Sequence, residues 1–437
     1  MNPLVSYIIR FLIDGDKTSR LAYRVGYTSD VRDFHKYNVV IVPSSFFRDH
    51  VYGTPASMPQ LPLNEIEGVP LLFGSPEIKW HSDTLIVHAD IIAGAYFLLS
   101  RYEEIRKRHV RDEYGRFPGK ESLPYQAGFI HRPVVDEYGK LLRNWLRETG
   151  VPLTEPTPQI QKIWLTHDVD APFYCRTLRN VMRETIKGKG IGKALSWFRK
   201  PLEEDPYYTF PWLTEQDNTL VNTLGIERSE AVYFLKAGGC SAQDKPHYHL
   251  HTPDGQALLK LLQSQKASLG LHASYDAGKK PSLITHEHKV LGRITGRPIR
   301  YNRHHYLACR EPEDYIWLER AGITDDFTMG YPDVAGFRLG TSHPVRWINP
   351  GNRHLSSLRL HPLSVMDVAL SEQKYMGLSY DEAYAYCLGL INQVEKANGE
   401  LVLLWHNDSV SEMKTRMDSA SWHRQLYAAL IEELRKR

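Results

Sequence analysis

The stretch Ile163-Trp-Leu-Thr-His-Asp-Val-Asp170 carries an apolar run into His167, Asp168 and Asp170. Side chains two apart on a strand point the same way, so the two carboxylates would share one face. Two ionised carboxylates that close need a cation or a shared proton. Taken alone, the pair reads more readily as a turn or an N-cap. Three further clusters follow apolar runs in the same manner. Ser268-Leu-Gly-Leu271 leads into His272-Ala-Ser-Tyr-Asp276, where a neutral imidazole suits zinc and Asp276 could add an oxygen. Asn302-Arg-His-His-Tyr-Leu307 offers Arg303, whose guanidinium can fix a carboxylate through two parallel hydrogen bonds. Leu404-Trp-His406 ends the last apolar run, and a lone histidine there is more often structural than catalytic.

The elements that must position these residues are strands with continuous apolar character: Ile163–Leu165, Ala231–Leu235 and Leu401–Trp405. Such runs suit parallel strands covered on both faces. Helical patterns separate them, over Glu311–Ala321 and Tyr380–Asn398. This alternation predicts a parallel α/β architecture, barrel or open sheet, with chemistry at the carboxyl ends of the strands. Upstream, Gly150-Val-Pro-Leu-Thr-Glu-Pro-Thr-Pro158 reads as an extended linker, because proline fixes φ and removes a donor. The expected division is a small α/β domain over 1–150, a linker over 151–159 and a second domain over 160–437. In the first, Val39–Val42, Val69–Phe73 and Leu85–Val87 read as strands. Residues 90–108 read as one helix, N-capped by Asp90 and ending in Arg106, Lys107 and Arg108.

A length of 437 residues suggests two domains, and 42% hydrophobic with 24% charged residues is ordinary globular composition. A formal charge of +3 argues against nucleic acid as a partner. The basic stretch Lys187–Lys193, followed by Arg199 and Lys200, reads as a solvated flank. Cys175, Cys240, Cys309 and Cys387 are far apart with no CxxC pair, which fits reduced thiols and a cytoplasmic location. The N-terminal apolar run is interrupted by Arg10, so no signal-peptide core is expected, and no apolar segment approaches transmembrane length. Nothing speaks to oligomeric state. Residues 171–225 form a long insert whose Tyr207, Tyr208, Phe210 and Trp212 could pack, cover a site or stack on sugar rings. Glu103, Glu104 and Arg116 read as charged surface.

The order of the four clusters resembles the NodB-type polysaccharide deacetylases (carbohydrate esterase family 4) over about residues 160–410. The family's TFDDG motif corresponds to Thr166-His-Asp-Val-Asp170, in the Asp-x-Asp form of variant members. H-S/T-x-x-H falls on His272–Asp276, R-x-P-Y on Arg303-His-His-Tyr306, and L-x-H on Leu404-Trp-His406. Asp90–Glu104, Asp112–Phe117 and Arg132–Glu137 resemble an uncharacterised N-terminal domain of a bacterial branch of these proteins. Gly336-Phe-Arg-Leu-Gly-Thr341, after Asp326-Phe-Thr-Met-Gly-Tyr331, looks typical of that branch. It stands near the place of the family's DxxDW motif, which is not recognisable, so His406 has no assigned partner.

The resemblance implies a distorted parallel (β/α) barrel and a metal-dependent hydrolase that removes N-acetyl groups from an amino sugar of a polysaccharide or its precursor. It implies a divalent metal, zinc first, on Asp170, His272 and Asp276, although the family places a second histidine where Asp276 stands. His305 and His361 are the alternatives for that ligand. Asp168 would be the general base, held by Arg303, and His406 the acid that protonates the leaving amine. Tyr306, Arg338 and Trp405 would contact the carbohydrate, Tyr306 through a backbone N–H. Two other readings remain open: a glycosyltransferase whose Asp-x-Asp pair holds Mn²⁺ or Mg²⁺, and a carbohydrate-binding protein on a disabled deacetylase scaffold.

Overall fold

The computed structural model describes residues 2–15, 20–174, 176, 181–182, 185–413 and 422–437. Cys175 and the side chains of Lys187, Lys189 and Lys193 lie outside the described residues. Two compact units divide the chain. The first comprises Met1–Gln161, Met329–Ser364 and Leu388–Leu401; the second comprises Lys162–Thr328, Val365–Cys387 and Val402–Arg437.

The first unit begins with a helix, Pro3–Asp14, capped by Asn2 and closed by left-handed Gly15. Its strands are β1 (Val25–Tyr27), β2 (Val39–Ile41), β3 (Asn64–Ile66), β4 (Val69–Leu71), β5 (Gly74–His81) and β6 (Thr84–Ala89). They form a sheet in the order β1-β2-β6-β5, parallel except for the β5–β6 pair, and a separate β3–β4 hairpin. The helix expected over residues 90–108 is two helices, Ile91–Leu99 and Tyr102–Arg106. Asp90 caps the first by accepting from the Ala93 N–H, and Arg101, in a left-handed conformation at φ 50°, interrupts the ladder between them.

Lys162–Thr328 supplies β7 (Lys162–Val169), β8 (Ser229–Leu235), β9 (Ser268–Ala273), β10 (Tyr301–His304) and β11 (Asp325–Asp326), each parallel to the next. Met329–Ser364 belongs to the first unit again and holds the antiparallel hairpin β12 (Val345–Asn349) and β13 (His354–Leu360). β14 (Leu363–Met366) and β15 (Glu400–Leu404) cross the division. The strand order of the second unit is β11-β10-β9-β8-β7-β15-β14. β7 is locked to the last strand by Thr166, whose hydroxyl donates to the Leu403 carbonyl and whose own carbonyl accepts from the Trp405 N–H. Helices Phe210–Leu224, Pro253–Ser264, Ser282–Thr295, Glu313–Ala321 and His423–Leu434 accompany this sheet, giving an α/β architecture. No helix among the described residues is long and apolar enough to cross a membrane.

The expected domains were consecutive, whereas the units are not, and buried polar contacts give the reason. Asp136 accepts from the backbone and hydroxyl of Ser342, Asp333 accepts from the Gly119 N–H, and Glu104 holds Arg338 through two hydrogen bonds of 2.6 and 2.9 Å. All these residues belong to the first unit. Glu104 is therefore no surface charge: burial opposes its ionised form, and Arg338 outweighs that and holds it below the usual carboxylate range. Removing one member of such a pair leaves the other charge buried. Arg338→Ala should therefore lower stability by about 3 kcal/mol in urea unfolding. Arg32→Ala, at an exposed pair with Asp30, should leave the unfolding midpoint unchanged.

Candidate active site

The carboxyl ends of β7, β9, β10, β14 and β15 deliver the polar residues. Asp168 is the penultimate residue of β7 and is buried, while Asp170 lies just beyond the strand with its side chain 26% exposed. His272 is next to last in β9, and its register partner in β10 is Arg303. His305 follows β10 directly. Asp367 follows β14, and His406 stands two residues past β15.

Asp170, His272 and His305 place their ligand atoms within 4.8 Å of one another. His272 donates from Nδ1 to the Arg303 carbonyl at 2.9 Å, and Nε2 lies 3.1 Å from Asp170 Oδ1. His305 donates from Nδ1 to Asp244 at 2.9 Å, with Nε2 3.2 Å from the same Asp170 oxygen. A carbonyl and a carboxylate can only accept, so both Nδ1 atoms carry protons, and at Nε2, facing Asp170, a cation would take the place of a proton. Burial opposes the charge on Asp170, but His305 and His272 hold its pKa well below the ordinary value. Burial likewise opposes a charged His305, which Asp170 and Asp244 push the other way. Two imidazoles and a carboxylate of this kind fit a divalent transition metal.

Asp244 is itself fixed by Ser241, by the Tyr275 N–H and by a turn at Gly239. There φ is +88° and a Cβ would meet the Asp244 carboxylate at 2.6 Å. Lys236, its ammonium on the Asp244 carbonyl at 3.0 Å, has its pKa lowered by burial.

Asp168 and His406 flank this group. Arg303, wholly buried, donates to Asp168 Oδ1 at 3.0 Å and to the Phe327 carbonyl, with its guanidinium 4.6 Å over the Phe234 ring. Gly270 permits that ring position, since a Cβ there would strike Phe234 at 2.5 Å. The second Asp168 oxygen is 3.8 Å from His272 Nε2. His406 donates from Nδ1 to Asp367 at 2.8 Å and turns Nε2 toward Asp170 at 4.0 Å. Burial disfavours the imidazolium, but Asp367, aided by Asp170 and Asp168, raises the pKa to about 10. Asp367 is held down to about 2 against its own burial, chiefly by His406. Burial lifts the nearby Asp408 to about 6.

The other expected residues lie elsewhere. Asp276 is not in the group: its Oδ2 accepts from the Cys240 and Ser241 N–H groups at 2.6 and 3.0 Å. His361 is paired with Glu400 in the first unit. Arg338 is likewise in the first unit, its guanidinium taken up by Glu104 and the Gly330 carbonyl. Trp405 is wholly buried and donates to the His423 carbonyl, so its ring packs in the core against Tyr427. Tyr306 is half-buried at φ 62°, its ring against His305 and Tyr275. Phe210 and Tyr208 are core residues too. His167 is bound between the Trp405 carbonyl and buried Asp217.

Comparison with known proteins adds little to this geometry. A family of unknown function, DUF7033, matches residues 1–151. No curated protein matches the chain. A solved structure described as "putative polysaccharide deacetylase from Mycobacterium smegmatis" aligns at 13% identity with a TM-score of 0.38, over 64% of this chain and 87% of that one. A superposition that loose decides nothing about this chain.

Asp367 and Asp244 were absent from the expected site. Asp367 had a readable signal, because Leu363-Ser-Val-Met366 is an apolar run ending in an acid, as at Asp168. Asp244 lies in a loop with no pattern to mark it. The His406–Asp367 pair makes stability depend on pH in the metal-free protein. The folded pKa of His406 is raised, so its contribution is complete below about 6.5, the unfolded value, and is lost as pH rises through about 10. Thermal unfolding against pH should show that alkaline decline, and Asp367→Asn should flatten it.

Proposed function

We propose that the second unit is a metal-dependent hydrolase that removes an N-acetyl group from an amino sugar of a polysaccharide or its precursor. Its sheet is read as the distorted (β/α) barrel of the polysaccharide deacetylases. The observation that carries this reading is the convergence of the His272 and His305 Nε2 atoms on Asp170, with Asp168 and His406 3.8 and 4.0 Å from members of that group. Asp170, His272 and His305 would hold a divalent ion, zinc by the donor set, with His305 rather than Asp276 as third ligand. Such an ion, when bound, polarises an amide carbonyl and lowers the pKa of water.

The remaining chemistry belongs to side chains. Asp168 takes a proton from the attacking water, oriented by its hydrogen bond from Arg303. His406, protonated at neutral pH through Asp367, supplies the proton that an amine needs in order to leave. Base and acid are thus each held by a separate ion pair, Asp168 with Arg303 and His406 with Asp367. The products are acetate and a free amino sugar. The same geometry weighs against a glycosyltransferase, because Asp168 is committed to Arg303 and does not act with Asp170 as a chelating pair.

Asp168→Asn should lower acetate release from an N-acetylated amino sugar on the order of 100-fold or more while leaving bound metal unchanged. Near-normal turnover in that variant rules Asp168 out as the base. His305→Ala should lose the metal and Asp276→Ala should retain it, measured by elemental analysis; the reverse pattern restores Asp276 as the ligand.

A further inference from the structure

The segment that presents His305 carries a second group of donor atoms. A nitrogen of His304, the sulfur of Cys309 and a carboxylate oxygen of Asp314 all lie within 4.8 Å of one another. His304 ends β10, Cys309 is half-buried in the connection, and Asp314 sits in the first turn of the helix Glu313–Ala321. His304 and Asp314 are both completely buried. Their nearest approach, Nε2 to Oδ2, is 3.5 Å, and neither His304 Nε2 nor Asp314 Oδ1 has a hydrogen-bond partner. Two orphaned polar atoms shut off from solvent are costly unless something binds between them.

Imidazole, thiolate and carboxylate together are a donor set for a borderline divalent ion, and three of the four positions of a tetrahedral site are then filled from a short segment. We infer that His304, Cys309 and Asp314 hold a second divalent transition-metal ion, of the zinc class, that ties the end of β10 to the start of the following helix. The turn between those two points carries His305 and Tyr306, so such an ion would brace the backbone that positions His305.

Binding at Nε2 requires the His304 proton on Nδ1, where the Asn302 amide nitrogen now lies 3.1 Å away. Turning that amide over brings Oδ1, which has no partner as it stands, into position to accept the proton. As the structure stands, that amide nitrogen also donates to Asp326 at 2.7 Å, a bond the turned amide gives up.

This site shares no ligand with the Asp170 centre and does not depend on the deacetylase reading. The test is metal content of the full chain purified without chelator, together with the absorption spectrum of the cobalt-substituted protein. A thiolate gives a charge-transfer band to cobalt; the Asp170 group contains no sulfur and gives none. The wild type should hold two ions per chain and show the band. His272→Ala should keep one ion and the band, and Cys309→Ser should lose one ion and the band. The cobalt spectrum of the wild type bears on the inference even if Cys309→Ser fails to fold. A single ion lost in His272→Ala, with no band in the wild type, overturns the inference and leaves the proposed function standing. A single ion retained in His272→Ala and carrying the band supports the inference and removes the metal from the proposed active site. No ion at all overturns both.

Discussion

Asp170 sits where an ionised carboxylate must be answered by positive charge, and the second unit is arranged around meeting that demand. Two imidazole nitrogens approach one of its oxygens at 3.1 and 3.2 Å, and a third histidine faces the other at 4.0 Å. What fixes this arrangement is the far side of each ring. His272 is tied to the Arg303 carbonyl, His305 to Asp244 and His406 to Asp367. Each ring is thereby set in rotation before any ligand arrives, which is the condition for a site that does not reorganise when it works.

Parallel strands explain why three separate segments can meet here. In β7, β9 and β10 the chain runs in one direction, so the residues that end each strand emerge at one edge. β9 and β10 are paired with Arg303 opposite His272, so one register sets both the His272 ring beside Asp170 and the guanidinium that holds Asp168. A slip of one residue would turn His272 and Arg303 away together. Gly270 belongs to the same constraint, since it lets Phe234 lie under the Arg303 guanidinium.

Much of this was legible because strand ends leave a mark in sequence: an apolar run that stops at an acid or a histidine. Asp168, Asp170, His272, Arg303 and His406 all carry that mark, and the structure brings them together. Asp276 carried it equally well four residues after His272, but a helix begins at Tyr275 and turns its carboxylate to the Cys240 and Ser241 amides. His305 could be named only as an alternative, because the turn that swings it beside His272 depends on left-handed conformations at Tyr306 and Leu307 that ordinary residues adopt at a cost. Trp405 and Arg338 went astray for a different reason. Whether a large side chain lines a cleft or fills a core depends on neighbours distant in sequence, His423 and Glu104 here, and no local pattern reports them.

The first unit raises the same issue at the scale of domains. A proline-rich stretch at 151–158 looks like a boundary, and the chain does pass from one unit to the other at Lys162. Yet Met329–Ser364 folds with the first unit because carboxylates placed early in the chain lack partners without it. Asp136 needs the Thr341 and Ser342 donors, and Glu104 needs Arg338. A fragment ending at the proline-rich stretch would leave Glu104 and Asp136 without these partners, and Glu104 is buried. A desolvated carboxylate such as Glu104, without its Arg338 counter-group, costs several kcal/mol by the usual magnitude for a broken buried pair, comparable with the whole stability of a small domain. The segment 1–151 is thus a unit of sequence, and by its contacts the first unit also takes in Met329–Ser364 and Leu388–Leu401.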